Sequence, residues 1–248
     1  MRALGIIPAR YASTRFPGKP LAVIDGKSMI RRVFEQAMSC EALSRVIVAT
    51  EDESILKHVE QFGGKAVMTG THHLSGTERC NEAYDNIPEQ GDHYDAIINI
   101  QGDEPYIHPD QINQVIRCFE DEKVMIASLM KRITSADDLS NPNVVKVITG
   151  INGNALYFSR TAIPYIRGTD RVDWPGHFSF FRHIGIYGYR PGTLAVIVKL
   201  PRSLLETAES LEQLRWMENG YNIRMKETSF DSISVDTPDD LLKLTNSK

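Results

Sequence analysis

Cysteine is scarce in this sequence, and its three residues, Cys40, Cys80 and Cys118, stand far apart. Their number is odd and no pair has metal-ligand spacing. That argues against a disulfide framework or a zinc site and for reduced, mostly buried thiols. Long apolar runs are missing too. No stretch approaches the ~20 residues that would span a bilayer. The apolar run in MRALGIIPAR is too short for a secretory leader, so a cytoplasmic protein without membrane insertion is expected. Neither sign of charge dominates: 28 Lys and Arg against 32 Asp and Glu leave a net charge of −4, with a pI of about 6.0. This excludes wholesale binding to nucleic acid or to an anionic membrane. An anionic ligand must be held locally, by a few placed basic groups. Internal repeats, low-complexity tracts and flexible linkers are also lacking, and the phosphate-binding pattern GxxxxGK[ST] does not occur.

What is present is ordinary globular material. The 248 residues, 42% hydrophobic and 24% charged, can bury a sizeable core. One large α/β domain over 1–248 is the default. Short apolar runs alternate with helical patterns through the first half. Strands are predicted at Ala3–Ile7, Arg45–Thr50, Lys65–Thr69, Ala96–Gln101 and Val124–Met130. Helices are predicted over Ser28–Ser39, from a Thr50/Glu53 capping box to Phe62, over Gly76–Ile87, and from Pro109 to about Asp121. This alternation predicts a mostly parallel sheet covered by helices on both faces. Residues 141–190 change character: strands at Val144–Ile148, Ala155–Ser159 and Ile184–Tyr189, with Arg167–Phe178 read as a loop. That suits a mixed-sheet extension, an insertion serving sugar binding or dimerisation. The C-terminal part reads as a helix over Leu204–Asn219, a strand near Asn222–Lys226 and a last helix after Pro238.

Four polar segments fall at predicted strand ends or helix starts, where ligands bind in such sheets. The loop PARYASTRFPGKP (8–20) carries Arg10, Arg15 and Lys19 with the hydroxyls of Ser13 and Thr14. A triphosphate needs several cations and many N–H donors, which this loop offers; a solvated turn fits the spacing equally well. SGTER (75–79) brings backbone and hydroxyl donors to a helix N-terminus, or is a plain cap. NIQGDEP (99–105) delivers Asp103 to a strand end, where one or two carboxylates suit magnesium. SVDTPDD (234–240) holds Asp236, which is either a helix N-cap or a second metal ligand folded back beside Asp103.

Taken together, these segments resemble the 3-deoxy-manno-octulosonate (Kdo) cytidylyltransferases. IPARYASTRFPGKPL (7–21) is followed in order by SGTER, NIQGDEP, NPNVVKV (141–147), ALYFSRTAIP (155–164), HIGIYGYR (183–190), LETAESLEQLR (205–215) and VDTPDDL (235–241). Eight ordered blocks over almost the whole chain are specific where single blocks are not. The resemblance implies a Rossmann-like nucleotidyltransferase fold, a homodimer, and an enzyme that joins CTP and Kdo to give CMP-Kdo and pyrophosphate for lipopolysaccharide assembly. It implies Arg10 and Lys19 on the triphosphate, with Ser13 and Arg15 in the same loop. His73, Ser75, Gly76, Thr77 and Arg79 would bind the nucleotide, and Gln101 would lie between nucleotide and sugar. Asp103 and Asp236 would hold magnesium. Arg160, His183, Tyr187, Glu212 and Gln213 would meet the sugar acid. His72 stands where many relatives have an acid, Ser234 replaces a common glycine, and residues 167–178 match no block. An 8-amino analogue of Kdo or another ulosonic acid is the alternative substrate. A sugar-nucleotide glycosyltransferase is disfavoured, because the strand before Asp103 ends in Gly-Asp-Glu and not Asp-x-Asp.

Overall fold

A computed structural model of the chain describes residues 1–12, 16–87, 93–231 and 233–246. The first half runs β1 (Ala3–Ala9), a small hairpin of β2 (Val23–Ile24) and β3 (Lys27–Ser28), α1 (Met29–Met38), β4 (Leu43–Thr50), α2 (Glu53–Gln61), β5 (Ala66–Met68), α3 (Gly76–Asp85), β6 (Ala96–Asn99), α4 (Pro109–Arg117) and β7 (Ile126–Arg132). The second half adds α5 (Ala136–Ser140), β8 (Lys146–Thr149), β9 (Ala155–Ser159), α6 (Trp174–His177), β10 (Phe181–Tyr189), α7 (Pro191–Ile197), α8 (Leu204–Glu209), α9 (Glu212–Glu218), β11 (Ile223–Glu227) and α10 (Pro238–Asn246).

One large sheet runs in the order β11-β7-β10-β6-β1-β4-β5, with β8 on β10 and β9 on β8. The pairs β6–β1, β1–β4, β4–β5 and β7–β11 are parallel. β10 enters antiparallel between β6 and β7. The stretch read as an extension therefore contributes an interior strand of the main sheet as well as the β8–β9 ribbon beside it.

Side chains alternate across the strands, so each strand feeds two cores. Ile7, Val48 and Ile98 pack with Ile30 and Val33 of α1, Ile55 of α2 and Ile112 of α4. Their neighbours Leu4, Ile6, Ile47 and Ile97 pack on the other face with Cys80 of α3, Leu194 of α7 and Trp216 of α9. Burial on both faces explains why these strands read as unbroken apolar runs. Cys80 lies fully buried, and burial pushes its thiol well above the ordinary thiol range, so it is an inert core residue.

Several boundaries differ from expectation. The cap of α2 is Asp52, which accepts from Ser54 N at 2.8 Å and Ile55 N at 3.2 Å; Thr50 Oγ1 instead accepts from Asp52 N. The single helix expected over 204–219 is two, because Ser210 takes a left-handed conformation at φ 52°. A short helix, α6, lies within 167–178, anchored by Trp174 in a small core with Ile133, Leu139 and Phe180. The Trp174 indole also donates to Thr169 O at 3.0 Å. Among the described residues, no helix is long and apolar enough to cross a membrane.

Candidate active site

The carboxyl ends of β1 and β6 lie side by side, joined by the bond from Ile100 N to Ile6 O at 2.9 Å. Just beyond them the chain at Gly102 passes so close to Pro8 that a Cβ there would lie 2.7 Å from the Pro8 carbonyl oxygen. Glycine is required at that crossing. A cleft of about 310 Å³ opens over this edge, lined by Arg10, Lys19, His73, Ser75, Gly76, Arg79, Gln101, Asp103 and Asp236 among others. Three loops that follow β1, β5 and β6 thus meet in one place, as the strand-end argument requires.

Lys19 Nζ stands 2.7 Å from Asp103 Oδ2 and 3.8 Å from Asp236 Oδ1. The Asp236 segment is brought there by backbone: Val235 N donates to Asp103 O at 2.9 Å. The two readings of Asp236 separate here. The start of α10 is stitched by Thr237 and Asp240, each accepting from the other's backbone N–H, while the Asp236 carboxylate faces Lys19. An ammonium between two carboxylates marks a cation position, and an all-oxygen donor pair suits a hard ion such as magnesium.

Behind the cleft, Arg79 is almost wholly buried. It pairs with Glu51 Oε2 at 2.8 Å and donates to Thr69 Oγ1 at 2.5 Å and Gly70 O at 3.3 Å. The other Glu51 oxygen accepts from Tyr11 N at 3.0 Å. Glu51 therefore ties the loop after β1 to the start of α3. Its position directly after an apolar strand was the available sequence signal.

Ser75 caps α3, accepting from Glu78 N at 3.2 Å. Thr77 does not line the cleft: two positions further along the helix it is buried and donates to Glu212 Oε2 at 2.8 Å. Ser13 and Arg15 lie outside the described residues.

Gln101 links the cleft to β10, donating to Gly185 O at 3.0 Å. Further along β10 the surroundings turn dry. His183 is flanked by Phe158 and Tyr187 at 5.1 and 5.2 Å between ring centroids, and its Nε2 meets Ser128 Oγ at 3.0 Å. Burial pushes its pKa down to about 3, so the ring is neutral. Tyr187 is 7% exposed, and its hydroxyl is buried without a hydrogen-bond partner among the described residues. Opposite Tyr187 in the sheet is Asn99, also buried, with an Oδ1 that has no partner among the described residues. A polar residue inside an apolar strand was the signal for Asn99.

Burial raises the Glu212 pKa, against the pull of Thr77, Ser75 and Arg215, the last at 2.8 Å. Gln213 is buried beside it on α9. Arg160 stands apart from the cleft lining. Its fork donates to Glu209 O at 2.7 Å, Pro142 O at 3.1 Å and Ser210 O at 3.3 Å, so three of its five N–H groups hold loops together.

The cytidylyltransferase family model matches residues 4–227. A 3-deoxy-manno-octulosonate cytidylyltransferase from Parabacteroides distasonis is 53% identical over 247 residues, covering 98% of this chain and 96% of that protein. Its counterpart from Cytophaga hutchinsonii is 50% identical, with 98% and 96% covered. Among solved structures, CMP:2-keto-3-deoxy-manno-octonic acid synthetase complexed with CTP superposes with a TM-score of 0.90 at 41% identity, covering 99% of this chain and 97% of that one. A glucose-1-phosphate thymidylyltransferase from Bacillus anthracis shares the fold at a TM-score of 0.66 and 15% identity. On its sequence, its fold and these matches, the chain belongs to the 3-deoxy-manno-octulosonate cytidylyltransferase family.

Proposed function

We propose that this protein transfers the cytidylyl group of CTP to Kdo, forming CMP-Kdo and releasing pyrophosphate, a step toward lipopolysaccharide. The observation that carries this reading is Lys19 set between Asp103 and Asp236 at the carboxyl edge of the sheet, in a chain so similar to Kdo cytidylyltransferases.

The anomeric 2-hydroxyl of the sugar attacks the α-phosphorus in line, and the bond to pyrophosphate breaks. Such a reaction is accelerated chiefly by positioning and charge stabilisation. Arg10 and Lys19 neutralise the triphosphate. Ser75 and Gly76, at the N-terminus of α3, offer donors to the nucleotide, with His73 and Arg79 on the same wall. Thr77, though buried away from that wall, holds Glu212 in place. Ser13 and Arg15 complete the loop's donors in this reading. Asp103 and Asp236 fit magnesium by donor type, and magnesium held there would supply Lewis-acid polarisation and lower the pKa of a coordinated hydroxyl.

On the sugar side, Gln101, His183, Tyr187, Glu212 and Gln213 offer hydrogen bonds to hydroxyls, and Arg160 uses its remaining N–H groups on the carboxylate. With its pKa near 3, His183 is too weak a base to take the hydroxyl proton; it donates or accepts a hydrogen bond as a neutral ring. We further propose a homodimer in the cytoplasm. Exposed Leu156, Tyr165 and Val172 within 141–190 favour a partner surface there, and sedimentation in the analytical ultracentrifuge tests it: a monomer mass would overturn the dimer.

The deciding experiment is a pyrophosphate-release assay with CTP and three acids: Kdo, its 8-amino analogue and a sialic acid. Kdo is expected to give the highest kcat/KM. Preference for the amino analogue would move the assignment to that substrate, and no release with any acid would overturn it.

A further inference from the structure

At the rim of the cleft, His72 and His73 of the turn between β5 and α3 converge with Glu82 of α3. One ligand atom of each lies within 4.8 Å of the other two. The arrangement is built by the backbone. Gly70 N donates to both Glu82 oxygens, at 3.0 and 2.9 Å, which fixes the carboxylate on the second residue after the strand. His73 Nε2 contacts that carboxylate. The His72 ring lies 4.3 Å from the His73 ring, folded over Gly70. A Cβ at position 70 would come within 2.4 Å of the His72 ring, so only glycine lets the ring settle there. Burial pushes the Glu82 carboxyl up, but the Gly70 N–H bonds and His73 outweigh it and hold the group below its ordinary range. It is an anion at neutral pH.

Two imidazoles and a carboxylate are a different donor set from Asp103 and Asp236. Imidazole-rich sites take zinc, cobalt or nickel, whereas all-oxygen sites take magnesium. Three protein ligands with a position left open are also the arrangement of accessible zinc sites. We propose that His72, His73 and Glu82 form a second metal site, selective for a borderline divalent transition ion such as zinc, on the rim of the nucleotide cleft. His72 is exposed, which gives an ion a way in. Because His73 also lines the cleft, an ion that fixes its ring competes with nucleotide binding; this second step rests on the cytidylyltransferase reading.

The test uses tag-free, chelator-treated protein in excess magnesium, so that the Asp103–Asp236 pair is already served. Cobalt is titrated in while visible absorption is followed, and zinc is then added. One cobalt per chain is expected, with ligand-field bands that zinc abolishes. His72→Asn, at an exposed position, should lower the affinity by at least roughly tenfold with an unchanged melting curve. Asp103→Asn should keep the bands. Equal binding by wild type and His72→Asn, or loss of the bands in Asp103→Asn alone, would overturn the site. Zinc should also slow CTP turnover in the wild type and not in His72→Asn, whose zinc-free rate stays normal. Equal inhibition of both proteins would break the link to the cleft. Cobalt binding is read without any substrate, so its failure is distinct from failure of the proposed reaction.

Discussion

The two halves of the candidate site are built on opposite physical terms. The phosphate half, around Lys19, Asp103 and Asp236, is charged, partly open to water, and supplied by loops at the ends of parallel strands. The proposed sugar half has Tyr187 and Gln213 buried and His183 half-buried; it is supplied by the antiparallel strand β10 and by α9, and its ring groups are held neutral by desolvation. Charge in the first half responds to a highly charged ligand. In the proposed reading, the unpartnered Tyr187 hydroxyl of the second suits the hydroxyls of the sugar acid. Gln101, on the cleft wall and bonded to β10, is the seam.

The largest expected effect is at the charged half. Asp103→Asn keeps the shape and removes one anion of the cation position. If magnesium is held there as proposed, Lewis-acid stabilisation worth several kcal/mol is lost, so kcat should fall on the order of 10³-fold, with the melting temperature little changed. A near-normal rate would remove Asp103 from the metal site. Lys19→Met comes next, with kcat lower by about 10²-fold, the scale of losing one charge-stabilising donor. Its divalent-cation affinity, measured by calorimetry, should not fall, since two carboxylates are left facing a vacated ammonium position. A parallel fall in cation affinity would mean that Lys19 organises the pair and does not compete for it.

The charged half was the legible one. Its residues lie in short contiguous segments, and a strand end points its loop in a direction set by the sheet. The pairing of Asp103 with Asp236, more than a hundred residues apart, was legible only as a condition on Asp236, and the bond from Val235 N to Asp103 O meets it. The sheet was legible for a related reason: strands buried on both faces leave unbroken apolar runs. The dry half was less so. Whether His183 is charged depends on Phe158, Tyr187 and Ser128, which come from three strands, and no spacing in the sequence carries their convergence. Arg160 was expected to offer its fork to a carboxylate, yet most of that fork is spent on carbonyls around Ser210, where an unforeseen left-handed residue breaks the helix.

His183 tests the neutrality of the dry half through pH. Its folded pKa of about 3 lies below the ordinary 6.5, so between those values the unfolded chain binds the proton that the folded chain refuses. Stability is therefore complete above pH 6.5 and lost as pH falls toward 3. At pH 5 the loss from this one group is about 2 kcal/mol relative to pH 8. Denaturant melts of wild type and His183→Gln at the two pH values isolate it: the variant should lose less. Equal slopes in the two proteins would mean that the ring is protonated in the fold and that the sugar half is not neutral.

Tyr187 gives the smallest effect and the sharpest division between the halves. Its hydroxyl is buried with no partner among the described residues, and an unsatisfied buried group costs stability. Tyr187→Phe removes that group without changing the ring's packing against Trp216 at 5.2 Å. If the hydroxyl exists to meet the sugar, the variant should raise the KM for the sugar acid by roughly tenfold, the value of one hydrogen bond to a buried group. The KM for CTP should be unchanged and the melting temperature equal to or above that of the wild type. A protein that gains stability while losing affinity for one substrate only would mark the hydroxyl as held in reserve for binding. A lower melting temperature with an unchanged sugar KM would instead assign Tyr187 to the core, and the sugar half would shrink to Gln101, Arg160, His183 and the residues of α9.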